Sequence, residues 1–191
     1  MKIAYFVTSV LALPGLLLLQ GCPAVVVGAG VGAAMVADDR RSSGTQLEDQ
    51  VIERKISSSI EDAHDEGVRV SVISYNRVVL LVGQVPSEAV KDDIGSMALA
   101  TQNVRTVQNE VEIAGASSFV SRSSDALLTS KVKSRLLNSE GVQTNHVKVV
   151  TSNDTVYLMG LVTRAEAAAA TETAATTSGV QRVVKVFEYL D

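Results

Sequence analysis

Cysteine, tryptophan, aromatic side chains and long apolar runs are scarce in this chain, and each scarcity closes off a class of answer. The one cysteine, Cys22, leaves no internal disulfide framework, so any folded part beyond it is held by packing alone. With no tryptophan and 4% aromatic residues, the cores must be built from the Val, Leu, Ile and Ala that fill most apolar positions beyond residue 47. The two histidines, His64 and His146, stand in no metal-ligand spacing and have no recurring Ser, Cys or carboxylate cluster beside them. Each reads as a surface or edge histidine, and neither a metal site, a cofactor nor an enzyme activity is expected. The acidic run from Glu61 to Glu66 lacks the glycine and ligand spacing of a calcium loop. A net charge of −4, without a basic patch interleaved with aromatics, argues against nucleic acid as a partner. The main apolar run, Ile3 to Leu19, is broken by Pro14-Gly15 and falls at the short end of the ~17–25 residues a membrane span needs.

That run does have the parts of a secretory signal. Lys2 supplies a basic start, Leu11, Leu13 and Leu16 to Leu19 an apolar centre, and Gly21 a small residue before the cut. The segment Leu19-Gln20-Gly21-Cys22 resembles the lipobox of bacterial lipoproteins. The resemblance implies that the Cys22 thiol receives a diacylglycerol, that residues 1–21 are removed, and that the new amino terminus is acylated. Two or three acyl chains, at about 0.8 kcal/mol per buried methylene, hold a protein on a membrane persistently. In the sorting rule of such lipoproteins Asp after the cysteine favours the inner membrane; Pro23 stands there, which favours the outer membrane. A plain signal peptide followed by an ordinary cysteine and a permanent span are the other two readings of the same residues.

Residues 22–46 read as the lipidated cysteine and a flexible tether. Gly28, Gly30 and Gly32 after Val25 to Val27 superficially fit a dinucleotide-binding turn, but the third fingerprint glycine and the βαβ context are missing. From Asp38 to Ala116 eight Lys/Arg face fourteen Asp/Glu, net −6, whereas Ser117 to Asp191 has eight against seven, net +1. The less acidic half suits an anionic surface better, although ordinary drift of surface charge gives the same asymmetry.

From residue 47 the chain repeats itself. Val79 to Val85 matches Val156 to Val162 at an offset of 77, and Val51-Ile52, Lys55-Ile56 and Ile60 match Leu127-Leu128, Lys131-Val132 and Leu136 at 76. Val104, Val107, Val111 and Ile113 match Val180, Val183, Phe187 and Tyr189, again at 76, a spacing that suits tandem domains rather than solenoid repeats. In each copy apolar residues recur every four positions in a first helix, then alternate in a strand such as Val68-Val70-Val72 or Val147-Val149. Tyr75-Asn76-Arg77 and Ser152-Asn153-Asp154 read as hairpin turns, because Asn tolerates a left-handed backbone. A second strand follows, then a helix capped by Ser87 or Thr163, the latter in capping-box spacing with Glu166, and a closing strand. The order αββαβ, written twice, predicts an α+β fold in which each three-stranded sheet packs against two helices.

Val-x-Val in the first strand, Val-x-Leu-x-Gly-x-Val in the second and Gly-Val-x-x-Val before the third resemble the BON domain. The third motif is complete at Gly179 to Val183, and Asn103 replaces its glycine in the first copy, where Asn can take the same positive φ. The resemblance covers residues 47 to 190 and implies two tandem BON domains with mixed sheets, at 47–114 and 125–191, joined by a linker at 115–124. Behind a lipobox, the pair is similar to dual-BON outer-membrane lipoproteins. That likeness implies a periplasm-facing protein that supports outer-membrane integrity, and binding of anionic phospholipid, phosphatidylglycerol or cardiolipin, through the first helix of the second domain. The alternative is a protein-binding accessory factor for outer-membrane protein assembly, or an envelope scaffold.

The residues point to the same helix independently. If Leu128, Val132 and Leu136 face the sheet, then Leu127, Lys131 and Arg135 form an adjacent stripe, with Lys133 and Phe119 as further candidates. Leu127 would insert among headgroups while the cations engage phosphates, each worth on the order of 1 kcal/mol near anionic lipid. In the other reading Leu127 is core and the cations are a solvated face. The first copy offers Val51, Lys55 and Ser59 among Glu48, Asp49 and Glu53, which should bind poorly.

Overall fold

The computed structural model describes residues 39–64, 67–114 and 119–191, without the side chains of residues 119–122. Cys22, the signal, most of the expected tether and the Gly115 to Ser118 segment lie outside the described residues, as does the side chain of Phe119. The first copy comprises α1 (Ser43–Ala63), β1 (Arg69–Tyr75), β2 (Val78–Val85), α2 (Glu88–Ala100) and β3 (Thr106–Ile113). The second comprises α3 (Phe119–Leu137), a 3-10 turn (Thr144–His146), β4 (Val147–Ser152), β5 (Thr155–Val162), α4 (Arg164–Ala175) and β6 (Arg182–Tyr189). Each sheet is mixed: the central strand, β2 or β5, pairs antiparallel with the strand before it and parallel with the closing strand.

Local chemistry explains the boundaries. The two-residue hairpin loops hold Asn76-Arg77 at φ 51° and 64° and Asn153-Asp154 at φ 48° and 56°, the doubly left-handed turn whose twist suits adjoining antiparallel strands. Asn103 has φ 69° where Gly179 has φ 103°, so the expected substitution of one by the other holds in the backbone. Thr163 and Glu166 close a reciprocal capping box at the start of α4, and Ser87 accepts from Val90 N–H at the start of α2. The motif glycines are required by close approach: a Cβ on Gly83 would run into the Arg69 carbonyl, and one on Gly160 into the His146 carbonyl.

Alternate residues of β2 face opposite ways. Val79, Leu81 and Val85 pack with Ile52, Ile56 and Ile60 of α1 and Ile94 and Ala98 of α2. In the second copy Val156, Leu158 and Val162 pack with Val132 and Leu136 of α3 and the small Ala167, Ala170 and Ala174 of α4. The remaining faces meet each other: Ile73, Tyr75, Leu80 and Val82 form a third core with Tyr157, Met159, Val184 and Val186. The molecule is therefore four layers thick, helices, sheet, sheet, helices, with α1 and α3 on opposite outer sides.

This central seam is reciprocal. Asn76 Nδ2 donates to Glu188 at 2.8 Å and its equivalent Asn153 Nδ2 donates to Glu112 at 2.7 Å. Arg105 pairs with Glu188 at 2.9 Å, and Arg182, one position past its equivalent Gln181, reaches Glu110 at 3.7 Å. Each copy thus offers the other nearly the same patch, the signature of an approximate twofold relation within one chain.

The amino-terminal boundary differs from the expectation. Helix α1 begins at Ser43, with Ser42 accepting from Thr45 N–H at 3.1 Å, inside the segment expected to be a flexible tether. Arg40 and Arg41 ahead of it are bound to the folded domains, as described below. Helix α3 likewise begins at Phe119, inside the expected linker.

Candidate functional site

Helix α3 is held by three side chains on its inner face, Leu128, Val132 and Leu136, all buried. Its one acidic residue, Asp125, is turned to the β4–β5 hairpin, where it accepts from the backbone N–H groups of Asn153 and Asp154, each at 3.1 Å. No carboxylate of the helix is left on its outer surface. Leu127 is 66% exposed, which places it outside the core and sets aside the reading that buried it. Lys131 follows one turn later, also exposed, and neither it nor Lys133 has an ion-pair partner among the described residues.

The five sequence candidates do not form one stripe. Lys133 lies on the other flank of the helix, one turn before Leu137, which is 71% exposed. The outer surface of α3 therefore has two leucine–lysine pairs at four-residue spacing, Leu127 with Lys131 and Lys133 with Leu137, on either side of Ser130 and Ser134. Leu137 was not singled out in the sequence, although its spacing from Lys133 was the available signal. Arg135 is exposed but already engaged: its guanidinium donates to Thr173 O at 3.2 Å, Thr177 Oγ1 at 2.9 Å and Thr176 Oγ1 at 3.0 Å, around the carboxyl-terminal turn of α4. A cation there complements the negative end of the α4 dipole, a role within the fold that Lys131 does not share.

The equivalent helix α1 has the carboxylates of its first half, Glu48, Asp49 and Glu53, tied down. Asp49 is 2% exposed and accepts from Ser74 Oγ (2.7 Å), Asn76 N (2.8 Å), Arg77 N (2.7 Å) and Arg41 Nη1 (2.8 Å). Arg41 also pairs with Asp39 and lies 3.8 Å from the centroid of the Tyr75 ring. Glu53 accepts from Ser74 N and, across the seam, from Lys148 Nζ at 3.2 Å. Glu48 accepts from Asn103 Nδ2 at 2.7 Å. Asp49 and Asp125 are equivalents 76 positions apart, a repeated carboxylate opposite a repeated Asn turn that the sequence displayed and that reasoning about surface charge passed over.

Arg40 crosses to the second copy and grips Glu166 with two bonds of 2.7 and 2.9 Å while donating to Leu161 O. That guanidinium holds the Glu166 carboxyl down to about 2, helped by the Thr163 backbone N–H of the capping box. His146 corrects an expectation. It is buried in the 3-10 turn, with Nδ1 3.4 Å from Glu166, rather than on a surface or edge. His64 is partly exposed, with Nε2 2.9 Å from Asp93. Among the described residues no three His, Cys, Asp or Glu side chains gather as a metal site, and no helix is long and apolar enough to cross a membrane.

The BON domain family model matches residues 48–115 and 124–191. The chain is 44% identical over 176 residues, 91% of each protein, to "Outer membrane lipoprotein DolP" of Haemophilus influenzae. It is 35% identical to "21 kDa hemolysin" of Actinobacillus pleuropneumoniae, over 80% of this chain and 79% of that one. It is 30% identical to "Osmotically-inducible protein Y" of Escherichia coli, over 73% of this chain and 72% of that one.

Proposed function

The chain belongs to the BON-domain family, and from that premise we propose that it is an outer-membrane lipoprotein, anchored by acylated Cys22 at the periplasmic face, whose second domain binds anionic phospholipid through the outer surface of α3 and so supports outer-membrane integrity. The observation that carries the reading is the pair of exposed leucine–lysine steps on a helix face without a free carboxylate. Two lysines near phosphatidylglycerol or cardiolipin supply about 2 kcal/mol, and partial burial of two leucines about as much again. A surface of that strength binds only in the millimolar range on its own. The acyl anchor changes the arithmetic, because a tethered domain meets the bilayer at an effective concentration of that same order. Leucine lacks the interfacial preference of Trp or Tyr, which keeps the contact shallow and reversible.

Liposome flotation of the mature chain made unlipidated by Cys22→Ser tests this directly. The parent should float with phosphatidylglycerol vesicles and not with phosphatidylcholine, while Leu127→Glu and Lys131→Glu should each cut the floating fraction at least threefold. Equal flotation of all three proteins with phosphatidylglycerol would remove α3 from the mechanism. The second reading, a protein-binding role in outer-membrane protein assembly or scaffolding, draws on an open strand edge that α3 does not use.

A further inference from the structure

A cleft of about 680 Å³ opens between the two copies, away from the exposed surface of α3. One wall is sheet 1, through Arg69, Ser71, Val82 and Gln84; the other is β4 from Val149 to Ser152, floored by Ala126 and Thr129 of α3. Four consecutive residues of β4 line it, so the cleft runs along the edge of that strand rather than over one of its faces.

The edge is open there. Ser152 and Thr155 flank the two-residue turn and form a hydrogen-bonded pair, so by alternation Val149 and Thr151 direct their N–H and C=O groups away from β5. Among the described residues those backbone groups have no partner. At the position equivalent to Thr151 the first sheet differs: Ser74 N–H is taken by Glu53 and Ser74 C=O by Lys148. A second unmade bond is enclosed just behind this wall, on a residue that lines the cleft. Gln84 is 9% exposed, and its Oε1 accepts from nothing. Arg69 is exposed at the mouth, with no ion pair among the described residues, and the nearby Asp125 carboxylate is already engaged by the hairpin.

We propose that this cleft receives an extended polypeptide segment bearing a carboxylate, which adds as a strand to the edge of β4. A peptide supplies what the walls ask for: alternating N–H and C=O groups for Val149 and Thr151, an N–H donor for Gln84 once its terminal amide turns, and a negative charge for Arg69. A lipid phosphate fits worse, because it brings acceptors to an orphan acceptor and meets a single cation. The proposal stands apart from the α3 surface and survives or fails without it.

The test is an NMR titration of the full mature chain, unlipidated by Cys22→Ser, with a synthetic octapeptide of alternating Val and Thr ending in a free Glu carboxylate. The expected result is a saturable shift of the Val149, Thr151 and Gln84 side-chain resonances, with slowed amide exchange at Val149 and Thr151. Arg69→Glu should weaken binding at least tenfold, and Thr151→Pro, which removes an outward N–H and leaves the β4–β5 ladder intact, should abolish it. The same peptide with proline at alternate positions should not bind. No shift at millimolar peptide, shifts indifferent to Arg69→Glu and Thr151→Pro, or the same residues responding to phosphatidylglycerol micelles in place of peptide would overturn the proposal. So would movement of those resonances on deleting residues 24–36 with no peptide present, which would assign the cleft to the chain's own amino-terminal segment.

Discussion

Helices α1 and α3 occupy equivalent places on duplicated sheets, yet α1 commits three carboxylates within the molecule and keeps Glu61 and Asp62 exposed, whereas α3 has a single carboxylate, which is engaged. In the first copy Asp49, Glu53 and Glu48 bind the hairpin, the seam and the Asn103 turn, and Asp49 also holds Arg41. In the second, Asp125 binds the hairpin alone, and Lys131 and Lys133 are left facing out. Duplication keeps the load-carrying carboxylate at the helix start and frees the rest of the surface to diverge. Both copies grip the amino-terminal segment, the first through Asp49 on Arg41 and the second through Glu166 on Arg40, but only in the second does the first helix present exposed cations without an exposed carboxylate beside them.

The sharpest way to break this comparison is to remove the shared carboxylate from each copy. Asp49→Ala leaves the Arg41 guanidinium and three other donors without their acceptor and should cost about 3–4 kcal/mol. Asp125→Ala removes two longer bonds at a partly exposed site and should cost about 1 kcal/mol. Urea unfolding of the two variants measures both; equal losses would mean that the copies rely on this residue alike.

A smaller effect separates the amino ends of α2 and α4. Only α4 has a Glu in its capping box, and only that Glu is gripped by Arg40. Because the Glu166 carboxyl is held down to about 2, below its usual range near 4.5, its stabilisation is fully present above pH ~4.5 and is lost as the pH falls toward 2. With the arginine end about a quarter exposed, solvent screening leaves roughly 1–2 kcal/mol in that window. Thermal melts from pH 5 to pH 2 should show the loss in the parent, and Glu166→Gln should flatten it. The smallest contrast is in the turns before β3 and β6. Gly179→Asn should cost about 1 kcal/mol, since φ 103° is strained for a side chain and the new Cβ would meet Leu128, whereas Asn103→Gly should change stability by less than about 0.5 kcal/mol.

Local pattern made much of this fold legible. The four-residue recurrence of Ile52, Ile56 and Ile60, the Asn turns and the Thr163–Glu166 box are short-range signals, and the structure has them where the spacing put them. The meeting of the two sheets was harder to read, although a trace of it was present: Val78 to Val82 and Val156 to Met159 are apolar at successive positions rather than alternate ones, as strands covered on both faces are. The arginine grips were out of reach, because nothing near Arg40 in the chain announces Glu166, 126 positions away. Of the α3 candidates, the exposure of Leu127 and Lys131 followed from helical period, while the diversion of Arg135 depended on where α4 ends, which only the folded second copy determines.

The stacking order of the layers has an electrostatic consequence. Most of the net negative charge belongs to the copy whose helices form one outer side, and the nearly balanced, cation-bearing copy forms the other. The molecule is thus polarised along the normal to its sheets, like a small bar with two unlike poles. Near any negatively charged plane such a body feels a torque before it makes a single contact, and it arrives α3 side foremost with its acidic side turned away. The torque weakens as salt shortens the Debye length, so orientation can be lost at ionic strengths where the protein remains folded.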